Sequence, residues 1–230
     1  MINLMTKKEV VIETKNLTKT YKLGRGNLVS ALAGVDFELK KGDFVALIGP
    51  SGSGKSTFMH LVGLLQTPSS GEIWINGKNM SKISSRNYPK FRAKHIGFVF
   101  QGFNLIPTLS AKENVILAGR YSGLSQKIAK ERAEKLLKRV GLKDRMNHRP
   151  DELSGGQQQR VAIARALINT PSIILADEPT GELDSKTSKE IVEMLKELNK
   201  QGQTFLIVTH NLEVAKMTKQ IIKMHDGKIV

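Results

Sequence analysis

Nine residues, Gly49-Pro50-Ser51-Gly52-Ser53-Gly54-Lys55-Ser56-Thr57, set the terms on which this chain folds. They follow the apolar run Phe44-Val45-Ala46-Leu47-Ile48 and precede Phe58-Met59-His60-Leu61-Val62, which is patterned as a helix. The order is strand, glycine-rich loop, helix, with Lys-Ser at a fixed offset from the first glycine. Gly49, Gly52 and Gly54 let the backbone curl so that several N–H groups converge on an anion with no Cβ in the way. The following helix N-terminus adds unsatisfied donors and a partial positive charge. Lys55 is then expected to reach the β- and γ-phosphates of a nucleoside triphosphate, Ser56 to hold Mg²⁺, and Thr57 to add a phosphate contact. A flexible Gly/Ser linker has no reason to lie between a buried strand and an amphipathic helix.

Further apolar strands end in polar groups. Ile96-Gly97-Phe98-Val99-Phe100 delivers Gln101, Ser172-Ile173-Ile174-Leu175-Ala176 delivers Asp177-Glu178, and Thr204-Phe205-Leu206-Ile207-Val208 delivers Thr209-His210. Paired acids at the end of a core strand need a cleft or a cation, because burying them bare is costly. Asp177 suits a Mg²⁺ partner and Glu178 a general base toward water. In open α/β sheets ligands bind at the carboxyl ends of strands, so these strand ends predict an NTP-hydrolysing α/β domain.

The rest of the pattern surrounds that unit. From Val10 to Phe44 the period is mostly two, with turns at Gly24-Arg25-Gly26-Asn27 and Lys41-Gly42-Asp43; Gly71 to Gly77 reads as another short strand. An antiparallel β layer is expected. Tyr21, just before the first turn, is either an adenine-stacking ring or simply a strand residue. From Lys112 to Val140 the reading turns helical, with Ser125 as an N-cap and Gly141 as a stop. Leu153-Ser154-Gly155-Gly156-Gln157 then opens a helical segment from Gln158 to Leu167. Ser154 alone would cap it, and two glycines cost roughly 1 kcal/mol each within a helix. Close approach of another group is expected there, as at an anion site. A helix with Ile191, Val192, Leu195 and Leu198 on one face follows, and the tail from Ile221 reads as a hairpin turning at Asp226-Gly227.

Composition narrows the setting. The 230 residues contain no cysteine, which excludes disulfides, thiolate zinc sites and a cysteine nucleophile. Residues 1–8 lack the apolar core of a signal peptide, and no apolar run approaches the ~18 residues of a membrane span. A soluble, cytosolic protein is expected. Lys plus Arg number 36 against 21 acids, a net charge of +15. Such an excess favours polyanions, meaning nucleic acid or an anionic membrane face, or else it is a solvated lysine-rich surface.

These residues together resemble the ATPase subunit of ABC (ATP-binding cassette) transporters, over nearly the whole chain from Val10 to Val230. Tyr21 matches the family's aromatic, Gly49–Thr57 its Walker A loop, and Gln101 its Q-loop. Leu153–Gln157 matches the signature, Asp177-Glu178 the end of Walker B, Gly181–Asp184 the D-loop, and His210 the switch. The resemblance implies a P-loop NTPase core with a mostly parallel sheet, an antiparallel β subdomain and an inserted helical subdomain. In this single domain, residues of about 10–87 and 160–230 form the core with its β subdomain. Residues of about 88–159 hold the Q-loop, the helical subdomain and the signature. ATP and Mg²⁺ are the implied cofactors, with Ser56, Gln101 and Asp177 around the metal. Lys55, Gln101, Glu178 and His210 form the implied catalytic set, and Tyr21 with Gly49, Pro50, Ser51, Gly52, Ser53, Gly54, Lys55, Ser56 and Thr57 the ATP site.

The family also implies a head-to-tail homodimer around two ATP, in which Ser154, Gly155, Gly156, Gln157 and Asp184 meet the partner's nucleotide. An integral membrane subunit would hold the cassette at the cytoplasmic face. Glu182 stands where a small residue is usual and adds negative charge near the dimer seam. The stretches Phe98–Pro107 and Glu113-Asn114-Val115 are similar to the group serving lipoprotein release and macrolide or peptide export. The chain ends soon after His210, so the regulatory C-terminal domain of sugar importers is expected to be absent. A repair or chromosome-maintenance ATPase acting on nucleic acid is the alternative. Those proteins place long coiled coils between Walker A and signature, and no sustained heptads lie between Lys55 and Ser154. No nucleic acid is expected.

Overall fold

The computed structural model describes residues 9–24 and 26–230. Residues 1–8, read above for targeting signals, and Arg25 of the first turn lie outside the described residues. In chain order the elements are β1 (Val10–Leu23), β2 (Asn27–Lys40), β3 (Phe44–Ile48), α1 (Lys55–Val62), β4 (Ser70–Ile75), β5 (Lys78–Asn79), α2 (Tyr88–His95) and β6 (Ile96–Phe100). Then come α3 (Ala111–Tyr121), α4 (Gln126–Arg139), α5 (Gly155–Leu167), β7 (Ile173–Asp177), α6 (Ser185–Lys200), β8 (Phe205–Val208), α7 (Leu212–Lys216), β9 (Gln220–His225) and β10 (Lys228–Ile229).

Two sheets form. The antiparallel one has the order β2-β1-β4-β5; the other runs β10-β9-β3-β8-β7-β6 and is parallel except for β10. The short runs of the parallel sheet are apolar at nearly every position because both of its faces are covered. Alternation along each strand divides the residues between two cores. Ile173 and Leu175 of β7, with Leu206 and Val208 of β8, face α1 and the antiparallel sheet. Ile174, Ala176, Phe205 and Ile207 face the side packed by α3 to α6. Phe44 and Phe205 meet edge-on within this second core, with ring centroids 5.6 Å apart. This is the α/β architecture expected, with an antiparallel β layer beside a P-loop core and helices inserted between β6 and β7.

The helical stretch from Lys112 to Val140 is two helices, α3 and α4. Gly123, at φ 98°, turns the chain between them, and Ser125 caps α4 by accepting from Ile128 N at 3.3 Å. The helix after the signature starts earlier than its apolar period suggests, at Gly155. The tail does turn at Asp226-Gly227, both at positive φ, but β9 also inserts beside β3 as a parallel strand. That pairing puts the tail against the phosphate-cradling loop.

Candidate active site

The loop after β3 is shaped by what surrounds it. A Cβ on Gly49 would lie 2.1 Å from the Met224 carbonyl oxygen of β9, and one on Gly54 would lie 2.5 Å from that of Ala31 in β2. Neither position tolerates a side chain. Gly52 and Gly54 also adopt positive φ, 79° and 101°. Gly54 is the N-cap of α1 and offers no side chain to its first N–H groups, which leaves them for an anion. The Lys55 ammonium instead donates to Pro50 O at 2.8 Å and to Ser53 Oγ at 3.4 Å, closing the loop on itself. A cleft of about 360 Å³ opens over the loop, lined by Gly49, Ser51, Lys55, Ser56, Thr57 and Ala31 on one side. Asp177, Glu178, Val208 and His210 line the other.

The acid pair divides by environment. Asp177 ends β7 partly buried, and that burial pushes its carboxyl pKa up; nearby His60 and Lys55 oppose the shift and Glu178 adds to it. A desolvated carboxylate of this kind favours a cation beside it. Glu178 leaves the strand at φ 44°, a left-handed conformation rare for a glutamate. Its oxygens accept from Thr209 Oγ1 at 2.9 Å and from His210 N at 2.8 Å. The His210 ring Nδ1 lies 2.6 Å from Glu178 Oε1. The ring is 77% exposed against 18% for the carboxylate, so His210 is the part free to swing. Thr209 was placed at the strand end but given no role, and His60 and Ala31 went unread at the site. Thr209 carried a signal, since a hydroxyl between a buried strand and His210 is placed to bond the carboxylate at the neighbouring strand end.

Other singled-out residues are not gathered there. Tyr21 is no part of the cleft lining; its hydroxyl donates to Gln66 Oε1 at 2.6 Å, and Lys19 Nζ lies 5.2 Å from its ring centroid. Gln101 is outside that lining; it donates through Nε2 to Glu182 Oε1 at 2.9 Å and borders a second cleft that Glu178 and His210 also line. Ser154 caps α5, its Oγ accepting from Gln157 N at 3.3 Å while Gln157 Oε1 accepts from Ser154 N at 3.1 Å. The two signature glycines have neighbours within the chain. A Cβ on Gly156 would lie 2.5 Å from Thr187 Cγ2, and one on Gly155 3.2 Å from Leu183 Cδ2. Asp184 caps α6, accepting from the N–H groups of Lys186 and Thr187 at 3.0 Å each and from Thr187 Oγ1 at 2.6 Å, which holds its carboxyl pKa low. Ser154, Gly156 and Gln157 line a separate cleft with Arg160, Thr187 and Glu190. A triphosphate on Lys55 and an anion on Ser154 would therefore be two different ligands of one chain.

The family model for ABC transporters matches residues 32–181, from the strand that supplies Ala31 through the acid pair to Gly181. The chain belongs to the ABC transporter family. As a member, it forms an ATP-binding cassette that hydrolyses ATP. An ABC transporter ATP-binding protein of Thermotoga maritima is 51% identical over 95% of this chain and 93% of its own length. The macrolide export ATP-binding/permease protein MacB of Bdellovibrio bacteriovorus is 48% identical over 95% of this chain, which spans only 33% of that relative. Among solved structures, the cassette MJ0796 of Methanocaldococcus jannaschii was captured as a dimer in a post-hydrolysis state bound to ADP and Pi. It superposes with a TM-score of 0.85 at 46% identity, covering 95% of this chain and 96% of that one. The transporter assignment displaces the nucleic-acid alternative. Among the described residues no helix is long and apolar enough to cross a membrane.

Proposed function

We propose that two copies of this cassette close head-to-tail around two ATP and drive an integral membrane subunit of the export type. The separation of Lys55 from Ser154 into two clefts carries this reading, because one chain then supplies two half-sites. The dimeric MJ0796 and the permease-fused MacB support it. Lys55 and the loop N–H groups take the β- and γ-phosphates. Ser154, Gly155, Gly156, Gln157 and Asp184 present the end of α5 and the D-loop to the partner's nucleotide. Tyr21 takes the adenine at the outer margin, on the strand paired to the β2 segment that supplies Ala31. Glu178 accepts a proton from the attacking water, and His210 turns from Glu178 to the γ-phosphate. Ser56 and Asp177 fit Mg²⁺ on the chemistry of a hydroxyl beside a desolvated carboxylate, with Gln101 joining once released from Glu182. Bound there, the ion would neutralise charge developing on the phosphate oxygens.

The division into a core (about 10–87 and 160–230) and an arm (about 88–159) belongs to the same proposal. Dimerisation makes hydrolysis second order in cassette at low concentration. Turnover per molecule is expected to rise with protein concentration and then level off. A flat profile over the same range would contradict the two-chain site.

A peripheral position on the cytoplasmic face of the membrane is also proposed. A groove of about 430 Å³ lined by Pro89, Ala93, Phe98, Phe100 and Tyr121 lies beside the Q-loop and suits the membrane subunit. Next to it, no acid occurs between Glu72 and Glu113, while Lys78, Lys82, Arg86, Lys90 and Lys94 are all exposed. Arg86, Lys90 and Lys94 recur every fourth residue on the side of the α2 region opposite buried Tyr88. Each such cation near an anionic surface contributes about 1 kcal/mol, screened by salt. Vesicles of phosphatidylserine and phosphatidylcholine should pellet the protein at low salt, and pure phosphatidylcholine should not. Charge reversal at Arg86, Lys90 and Lys94 should abolish the difference. Tighter binding to duplex DNA than to these vesicles, with stimulated hydrolysis, would overturn the assignment of this surface to lipid.

A further inference from the structure

We propose that Glu182 is a positioning residue that holds Gln101 off the ATP cleft in the resting cassette, so that the D-loop governs when the Q-loop amide becomes available. This rests on the reading of the Lys55–Glu178 cleft as the ATP site. Gln101 leaves the end of β6, beside the strand end that carries Asp177, yet its side chain is held on the D-loop. Its amide donates to Glu182 Oε1 at 2.9 Å, and its side chain packs against Gly181. A Cβ on Gly181 would come within 2.8 Å of Gln101 Cδ and 3.0 Å of Cγ, so the bare glycine backbone forms the seat for that side chain. Gln101 is absent from the lining of the ATP cleft; it lines the neighbouring cleft with Thr180, Gly181 and Ser188, and Glu178 and His210 border both.

The surrounding backbone is fixed from behind by α5. Fully buried Gln159 donates through Nε2 to Phe100 O at 3.4 Å and to Pro179 O, one carbonyl just before Gln101 and the other just before the D-loop. Arg165 donates to Phe103 O at 2.7 Å and to Asn104 O, pinning two residues held at φ 57° and 51°. The main chain on both sides of the contact is thus tied to the helix that opens with Ser154. The remaining freedom belongs to two exposed side chains. A rotamer change alone can release Gln101, and among the described residues the one bond that opposes it is the charge-assisted bond to Glu182. The D-loop carries both Glu182 and Asp184 at the end of the chain segment that faces the proposed partner. A partner that displaces this loop therefore breaks the bond and frees the amide in the same movement.

The contact predicts a difference between removing the acceptor and removing only its charge. The full chain would be compared with Glu182→Ala, Glu182→Gln, Gln101→Ala and the Gln101→Ala/Glu182→Ala double variant. In nucleotide-free protein, the Gln101 side-chain amide resonance, assigned by its loss in Gln101→Ala, should move toward the free-amide position in Glu182→Ala. It should stay near its wild-type position in Glu182→Gln, whose amide oxygen still accepts. Basal ATP turnover should rise roughly three- to tenfold in Glu182→Ala, the fold-change expected from losing one net hydrogen bond at an exposed site. Glu182→Gln should stay within about twofold of wild type on the same grounds. The double variant should match Gln101→Ala, because Glu182 acts through Gln101. An unmoved resonance in Glu182→Ala would overturn the proposal, as would equal gains in Glu182→Ala and Glu182→Gln, which would mean charge alone. A gain that persists without Gln101 would also overturn it. The resonance is read without nucleotide, so this outcome is separate from any failure of the ATP assignment, which would show as wild-type turnover independent of Lys55.

Discussion

Lys55→Ala is expected to lower ATP turnover at least ~10²-fold, the loss typical of removing one preorganised donor to a developing charge. Among the described residues, Lys55 is the one lysine or arginine in the lining of the cleft. At rest its ammonium is held by the Pro50 carbonyl and the Ser53 hydroxyl, so it waits within the loop and needs only to exchange neutral acceptors for phosphate oxygens. The substitution should leave the fold intact. The buried face of α1 is made by Phe58, Met59, Leu61 and Val62, and the lysine side chain packs into neither core. Phosphate release and binding of a fluorescent ATP analogue check the effect, with thermal unfolding as the control. Wild-type turnover in a folded Lys55→Ala protein would contradict the assignment of the phosphate site.

The second large effect is expected at Glu178. Its two oxygens accept from Thr209 Oγ1 and His210 N and contact His210 Nδ1, which orients the carboxylate. Glu178→Gln keeps the size and one acceptor oxygen but removes the base. Turnover should fall by about 10²- to 10⁴-fold, the usual contribution of a positioned proton acceptor, with ATP affinity retained. Loss of binding in parallel with turnover would mean that Glu178 holds the site together and takes no proton.

What the sequence could show follows from how local each signal is. Apolar runs ending in Lys-Ser, Gln, Asp-Glu and Thr-His mark strand ends at one edge of a sheet, because burial and polarity change within two residues. The hairpin at Asp226-Gly227 was legible for the same reason, since both residues must take positive φ. The lateral place of β9 was not. Ile221-Ile222 carries no mark of which strand it will pair with, so the Met224 carbonyl that forces a glycine at 49 was invisible. Side-chain direction was equally hidden. The family resemblance places Gln101 near the metal, but its partner at rest is Glu182, distant in sequence. The signature glycines were read as room for a ligand, and part of their cause lies within the chain, at Thr187 and Leu183.

The central claim, that each ATP is clamped between one chain's loop and the other chain's signature helix, is tested by light scattering after gel filtration of Glu178→Gln with and without ATP. Removing one carboxylate from each active site lowers repulsion across the seam while hydrolysis is blocked. The variant should run as a monomer without nucleotide and as a dimer with ATP. Adding Ser154→Arg, which replaces the exposed cap of α5 but not its buried Val161, Ile163 and Leu167, should return the ATP-bound protein to monomer. Dimerisation of the double variant as complete as that of Glu178→Gln alone would contradict the clamp.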